Sequence, residues 1–291
     1  MPQPSPILET HPELFQTPEA EAIKQEICAV GRKLWLRQYV DGNGGNISCR
    51  IGPNEVLCTP TMVSKYDLTP AGLCLVDLEG NQLAGAGRRT SEIFLHLEIY
   101  KASASVKAVL HCHPPHATAH ALTHTVPDYL TLPEFEVFIG KVPITPYATP
   151  GTAEFARTVV PFVKHHNTAL LANHGIVCWG DTVTHAEWYA EVLETYCWTM
   201  LLARQLGAPT SYFTPGQIEG VLDIKRRYGL PDHRLAPPEE RTCTCGPAIE
   251  PRNEPAPANL SVPEAGSPEF DHLVQSIAAA VLEKLRAQQP G

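Results

Sequence analysis

The sequence lacks the features that would direct it to a membrane, to the secretory pathway or to nucleic acid. Its 291 residues contain no run of about 18 apolar side chains, so no membrane-spanning helix is predicted. The N-terminus has neither the basic nor the apolar segment of a secretory signal, and the nine cysteines follow no disulfide framework. With 22 basic and 31 acidic residues, the net charge of −9 argues against nucleic-acid binding. We therefore expect a cytoplasmic protein with free thiols, and neither membrane nor nucleic acid as a partner.

The composition is ordinary except for its proline content. Hydrophobic residues make up 43% and charged residues 18% of the chain, which excludes wholesale disorder and predicts a globular core. Of the 28 prolines, nine fall between Pro231 and Pro268. That segment has few large apolar side chains and cannot offset the entropy of ordering by burial. We expect it to contain a disordered linker that begins where a globular domain ends.

Helical and strand patterns alternate along most of the chain, which predicts an α/β fold. Ile23, Ile27 and Leu34 share one face of a helix that begins near Pro18, and short runs with strand character follow it. The predicted parts are an N-terminal arm at 1–17, one catalytic domain at 18–232, a linker at 233–266 and an amphipathic helix at 267–286.

The C-terminal helix is predicted from its cap and its apolar periodicity. Ser267 can cap it, Pro268 suits its first turn, and the apolar positions that follow lie on one face. A helix at the end of a linker has no core of its own, so its apolar face must dock elsewhere. A targeting role and an extra oligomerisation or lid helix are both open. Upstream, Cys243 and Cys245 could bind a metal or form a redox pair, but free thiols on a linker are the simpler interpretation, because no second cysteine pair is near them.

The densest cluster of titratable side chains is His111-Cys112-His113. Alternate residues of a strand point to the same side, so these two imidazoles can share a ligand. Catalytic zinc sites have three protein ligands and one open position. His174, in the turn Asn173–Gly175 after an apolar strand, could be the third ligand. The pair alone is a weak signal, since the chain has 13 histidines and chance pairs occur.

Two further segments have the residue types of an anion site. The glycine-rich segment Gly42–Ser48 can turn several backbone N–H groups towards one anion, although a flexible turn is the simpler interpretation. It is neither a Walker A loop nor a dinucleotide fingerprint. Thr90 and Ser91 come at the start of a predicted helix, whose N-terminus also favours anions. Glu92 could be a first-turn acid or, near a metal, a general base.

Six motifs in a fixed order resemble the class II aldolase/adducin family, over about residues 19–232. Together they are far more specific than any one of them. They are Gly44–Ser48, Thr59–Thr61, Thr90–Glu92, His111–His113, Pro146–Thr152 and Asn173–Gly175. The resemblance implies a single class II aldolase-like domain with a central, mostly antiparallel sheet flanked by helices.

The resemblance also implies the residues of the site. It would place one Zn²⁺ per subunit on His111, His113, His174 and Glu92, and the substrate phosphate on Gly45, Asn46, Thr61, Thr90 and Ser91. Glu92, displaced from the metal by substrate, would move the proton that C–C cleavage requires. Tyr228 would come from a neighbouring subunit of a homotetramer and protonate the leaving aldehyde. A second catalytic tyrosine is not assigned, although Tyr129 lies in the corresponding region.

The activity implied by the resemblance is cleavage of a ketose 1-phosphate to dihydroxyacetone phosphate and lactaldehyde. L-fuculose 1-phosphate and L-rhamnulose 1-phosphate are the expected phosphorylated sugar substrates. Met62, Asn43 and Thr90 depart from the family pattern, and these departures concern the sugar more than the metal. Two alternatives are an epimerase of the same family acting on L-ribulose 5-phosphate, and a non-catalytic, adducin-like interaction module.

The C-terminal extension lies outside the family core and resembles an encapsulation peptide, which directs enzymes into bacterial microcompartments. Compartments for fucose and rhamnose degradation confine the aldehyde that such aldolases release. This second resemblance implies that residues 267–286 bind a microcompartment shell protein, and that the enzyme resides in the compartment lumen.

Overall fold

One sheet of eight strands forms the centre of the computed structural model, which describes residues 12–237 and the isolated residues 267 and 275. The strands are β1 Asn46–Arg50, β2 Glu55–Cys58, β3 Cys74–Asp77, β4 Gln82–Ala84, β5 Ala108–Cys112, β6 Ile144–Thr145, β7 Thr168–Leu171 and β8 Gly175–Gly180. Their order across the sheet is β4-β3-β2-β1-β5-β8-β7-β6. All neighbours are antiparallel except β6 and β7. The predicted fold class, with its mostly antiparallel sheet, is confirmed.

Helices cover both faces of this sheet. Within the described residues they are α1 Pro12–Phe15, α2 Pro18–Leu36, α3 Ile93–Ala102, α4 Pro115–Thr123, α5 Pro133–Phe138, α6 Ala153–Arg157, α7 Val183–Gln205 and α8 Pro215–Arg227. One buried apolar cluster lies under α2, α4 and α7, and a second lies under α3 and α6. Because side chains alternate along β5, Leu110 enters the first cluster and Val109 the second. The same alternation puts His111 on the α3 side of the sheet.

Local sequence signals account for several helix ends. Thr17 caps α2 by accepting a hydrogen bond from the Ala20 amide at 3.1 Å, an interaction that contributes about 1 kcal/mol. The periodicity predicts a single helix over 152–164, whereas the structure has α6 followed by a 3₁₀ turn at Val160–Phe162. The reason is Pro161, which has no N–H to continue an α-helical ladder.

The described structure extends past both predicted ends of the domain. Helix α1 falls within the predicted N-terminal arm, and its buried Phe15 lies 4.1 Å from the Lys24 ammonium. A 3₁₀ turn at His233–Leu235 and the buried Ala236 continue beyond the predicted boundary. Three parts of the chain lie outside the described residues: residues 1–11 of the arm, most of the linker with Cys243 and Cys245, and all but two residues of the helix predicted at 267–286.

Residues 12–237 all belong to one compact unit. The seven cysteines in this part of the chain are free thiols. No helix in it is both long and apolar enough to cross a membrane.

Candidate active site

Three histidines from adjacent strands meet at one end of the sheet. His111 lies in β5 and His113 just beyond it, while His174 lies in the turn between β7 and β8. Asn173 shapes that turn with a φ of 58°, a left-handed conformation that asparagine tolerates better than most residues. Gly175 then approaches β5 so closely that a Cβ would lie 2.6 Å from a backbone oxygen of that strand. The turn therefore places His174 beside the two histidines of β5.

The three imidazoles face one another. Nε2 of His111 and Nε2 of His113 are 3.0 Å apart, and one ring nitrogen from each histidine lies within 4.8 Å of the others. Nδ1 of His111 donates to the Ile176 carbonyl at 2.8 Å, so its Nε2 presents a lone pair to the cluster. Nδ1 of His174 is buried, and no hydrogen-bond partner for it exists among the described residues. The three imidazoles thus have more ring nitrogens than hydrogen-bond partners among the described residues.

Burial keeps these histidines neutral. It lowers the pKa of His111 well below the usual value, and the neighbouring His113 and His174 lower it further. Burial also lowers the pKa of His113, and it lowers the pKa of His174 to about 4. Neutral imidazole is the form that binds a metal ion.

Glu92 lies against the imidazole cluster, at the cap position immediately before α3. Its Oε2 is 3.5 Å from Nε2 of His111, and its Oε1 is 3.5 Å from Nε2 of His174. Burial raises the pKa of Glu92, while a hydrogen bond from Asn46 Nδ2 at 2.8 Å opposes the shift. A raised carboxyl pKa suits a group that takes up and releases a proton. We call His111, His113, His174 and Glu92 the histidine centre.

A buried hydrogen-bonded chain behind Glu92 contains residues that the motifs do not indicate. Asn46 Oδ1 accepts from Nε2 of His96, whose Nδ1 accepts from the Ser48 hydroxyl at 2.7 Å. The Ser48 hydroxyl also contacts the Tyr100 hydroxyl at 2.8 Å. Burial lowers the pKa of His96 to about 3, so the ring is neutral. Spacing could have revealed His96, which is one helical turn beyond Glu92.

The donor set of the histidine centre fits a metal ion of the zinc type. Three neutral imidazoles and a carboxylate are donors typical of tetrahedral Zn²⁺. Ligand nitrogens at about 2.0–2.1 Å from such an ion lie about 3.3 Å apart. The 3.0 Å between the Nε2 atoms of His111 and His113 is close to this spacing. The Ile176 carbonyl on Nδ1 of His111 is the outer contact that metal-binding histidines usually make.

The five residues predicted to bind phosphate lie near the histidine centre. Asn46 begins β1 opposite the histidine of β5, and Gly45 precedes it with a φ of 70°. A backbone bridge joins the segment of Thr61 to the segment of Thr90 and Ser91, which leads into Glu92. The structure thus brings all five residues to the same end of the sheet.

Tyr228 lies at the opposite end of the sheet from the histidine centre. It follows α8, is 67% exposed and stacks on Phe138. It lines a cavity of about 730 Å³ together with Val106 and Gly180, at the end of the β5–β8 pair remote from His111. Within one chain, Tyr228 is therefore not part of the histidine centre.

Buried ion pairs hold the chain on both sides of Tyr228. The Lys225 ammonium is 2.9 Å from the Asp232 carboxylate, and Arg234 lies 2.8 Å from both Asp232 and Glu136. Burial opposes ionisation of Asp232, but hydrogen bonds from Arg234 and the charge of Lys225 outweigh it. They hold the pKa of Asp232 well below its usual value. We call Lys225, Asp232, Arg234 and Glu136 the C-terminal clamp.

The chain belongs to the class II aldolase and adducin family. The family described as Class II Aldolase and Adducin N-terminal domain matches residues 25–201, more than half of the chain. An L-fuculose phosphate aldolase of Methanococcus maripaludis is 37% identical over 169 residues, which cover 58% of this chain and 91% of the relative. A 3-oxo-tetronate 4-phosphate decarboxylase of Haemophilus influenzae is 32% identical over 177 residues, covering 60% and 84%.

A solved structure agrees with this assignment. L-fuculose-1-phosphate aldolase from Thermus thermophilus is 28% identical, with a TM-score of 0.57, and the match covers 65% of this chain and 98% of that one. The predicted family and the prediction of a lyase of the class II aldolase type are confirmed. Because the names of the relatives describe two different reactions, similarity alone leaves the substrate open.

Proposed function

We propose that this chain is a zinc-dependent aldolase that cleaves L-fuculose 1-phosphate or L-rhamnulose 1-phosphate to dihydroxyacetone phosphate and lactaldehyde. The observation that carries the proposal is the histidine centre, in which three neutral imidazoles and Glu92 adjoin the predicted phosphate residues. Those residues are Gly45, Asn46, Thr61, Thr90 and Ser91. When bound, Zn²⁺ would supply a Lewis acid that draws charge from the substrate carbonyl.

The residues of the chain carry out the remaining steps. Glu92, with its raised pKa, moves the proton that cleavage of the C–C bond requires. Asn46 orients Glu92 through the hydrogen bond from its Nδ2. Backbone N–H groups of the glycine-rich segment and the hydroxyls of Thr90 and Ser91, which precede α3, hold the phosphate. A fixed phosphate keeps the reacting carbons in one position relative to Glu92.

A coupled assay for dihydroxyacetone phosphate tests this proposal. The zinc-loaded protein should release it from at least one of L-fuculose, L-rhamnulose and D-ribulose 1-phosphate, and the Glu92→Gln variant should release far less. Mass spectrometry of L-ribulose 5-phosphate incubations would detect an isomeric pentulose, the product of the epimerase alternative. Absence of dihydroxyacetone phosphate from all three sugars would contradict the aldolase assignment.

A decarboxylase is the second candidate, and the relative from Haemophilus influenzae favours it. A 3-oxo acid loses CO₂ with the electron pair left beside a ketone, which is the electronic demand that aldol cleavage also makes. The histidine centre suits both reactions for that reason. Release of CO₂ from 3-oxo-tetronate 4-phosphate, without dihydroxyacetone phosphate from any ketose 1-phosphate, would select the decarboxylase.

We further propose a homotetramer in which Tyr228 serves the histidine centre of a neighbouring subunit. Its exposure and its distance from its own centre support this. Exposed large apolar side chains on α7, including Trp198 and Leu202, support burial against another subunit. Mixed oligomers of Tyr228→Phe and His113→Ala subunits should regain activity, because some sites then have both residues. Mixed oligomers without recovery would contradict the shared site.

For the chain that follows the C-terminal clamp, we propose a tether up to residue 266 and a targeting helix at 267–286. The run of prolines and the apolar periodicity support this division. The proposed partner of the helix is a microcompartment shell protein. A reporter fused to residues 260–291 should then co-assemble with shell proteins in a compartment-forming host. A diffuse reporter signal would contradict the targeting role.

A further inference from the structure

Lys65 is a buried lysine that none of the motifs includes. It begins a 3₁₀ turn at Lys65–Asp67, shortly after the segment of Thr61, and it is 1% exposed. Its ammonium donates to the carbonyl oxygen of Asn43 at 3.0 Å and to that of Val63 at 2.9 Å. Both of these partners are neutral.

Among residues 12–237, no carboxylate lies within ion-pairing distance of Lys65. Two other buried lysines are paired: Lys24 is 2.8 Å from a Glu21 carboxylate oxygen, and Lys225 is paired within the C-terminal clamp. Burial lowers the pKa of Lys65 to about 8. A buried cation without a counter-ion is costly, because carbonyl dipoles replace only part of its hydration. Such a charge needs an anion, and the described chain does not provide one.

The position of Lys65 indicates where that anion binds. Asn43 belongs to the glycine-rich segment, and Val63 follows the turn of Thr61. The two hydrogen bonds therefore join these two segments, which both contain predicted phosphate-binding residues and which we call the phosphate segments. A second contact joins the same two segments: Nδ2 of the Asn43 amide lies 3.5 Å from Sδ of Met62. A Cβ placed on Gly44 would lie 3.2 Å from Nδ1 of His113, so this part of the segment adjoins the histidine centre.

We propose that Lys65 is a positioning residue for the phosphate subsite. Its two hydrogen bonds hold the phosphate segments together. The substrate phosphate supplies the negative counter-charge for its ammonium. This inference rests on the proposed function, since it assumes a phosphate bound between these segments. Lys65 does not touch the phosphate itself, because its ammonium is covered by the Asn43 and Val63 carbonyls. Its effect on the phosphate is the electrostatic attraction of a poorly screened charge.

Two variants separate the charge from the packing. Lys65→Met keeps the length of the side chain and removes the charge, while Lys65→Gln also keeps an N–H donor for one carbonyl. We expect both to raise KM for the ketose 1-phosphate about 10-fold or more, with kcat reduced much less and with unchanged zinc content. Lys24→Met is the matched control, because it removes a buried but paired lysine outside the site.

Thermal unfolding of the zinc-loaded proteins with inorganic phosphate gives a second measurement. Phosphate should raise the Tm of the wild type and of Lys24→Met, and it should raise the Tm of the two Lys65 variants much less. If the wild type gains nothing from phosphate, both the proposed phosphate subsite and this inference fail. Equal gains in wild type and Lys65 variants would overturn the role of Lys65 alone. Failure of both variants to fold would show a structural role and would also overturn it.

Discussion

The histidine centre and the C-terminal clamp are both clusters of buried titratable side chains, but they are balanced differently. In the clamp, Lys225 and Arg234 each lie within 3 Å of an oppositely charged carboxylate. In the histidine centre, two ring nitrogens face each other at 3.0 Å, and Glu92 stays 3.5 Å from the imidazoles. The clamp is therefore internally neutralised, whereas the centre brings together ring nitrogens and a carboxylate, all of them groups that can donate an electron pair.

The difference separates a structural role from a functional one. A buried ion pair that is complete needs nothing from outside, and removing one partner leaves a charge stranded in the interior. Neutral imidazoles crowded together gain by accepting a cation. Substitutions in the clamp should therefore change stability, and substitutions in the centre should change metal binding and turnover.

Removal of a histidine of the centre should have the largest effect. Loss of an outer contact to a metal already costs about 10–100-fold, so His113→Ala should lower activity by more than about 100-fold. Zinc content per subunit should fall in parallel. His185→Ala is the control, because that histidine is partly exposed and paired with Asp181. If His113→Ala were fully active without bound metal, the histidine centre would not differ in function from the C-terminal clamp.

Glu92→Gln should separate proton transfer from metal binding. The amide preserves the shape but cannot act as a base, so kcat should fall about 10²- to 10⁴-fold. The three imidazoles remain, so zinc should stay bound. Steady-state kinetics and metal analysis of the same preparation check this. A variant with nearly normal kcat would assign the proton to another group.

Breaking the clamp should change stability and leave the metal site intact. Asp232→Ala strands the buried Lys225, which should lower the free energy of unfolding by about 3 kcal/mol in urea titrations. The matched control is Asp223→Ala, which breaks an exposed pair with Arg226 and should cost less than about 1 kcal/mol. Equal losses in the two variants would mean that the clamp is no more than a surface ion pair.

The smallest expected effect is the acid dependence of the clamp. The pKa of Asp232 is lowered in the folded state, so its contribution to stability is complete above the unfolded value, near pH 4. The contribution is lost as the pH falls below that value, because the unfolded chain then binds a proton that the folded chain does not. Between pH 5 and pH 3 the wild type should lose more stability than Asp232→Ala. If urea titrations show the same loss of unfolding free energy between pH 5 and pH 3 in the wild type and in Asp232→Ala, this prediction is wrong.

The sequence indicated the histidines and the phosphate candidates because they stand in short motifs at strand ends and helix starts. It did not indicate His96 or Lys65. His96 reaches Glu92 through Asn46, which comes from β1, and Lys65 joins two loops that are neighbours only in space. Both contacts depend on long-range packing rather than on a local pattern.

The sequence by itself determined the start of α2, the glycine-rich turn, the family and the chemical types present at the site. Caps, periodicity and turn residues act over a few positions, so they can be read without a fold. Only the tertiary structure decided that Arg234 closes a clamp with Glu136 and that Tyr228 lies at the opposite end of the sheet from its own histidine centre. These relations are set by the order and register of the strands, which depend on pairings between segments far apart in the chain.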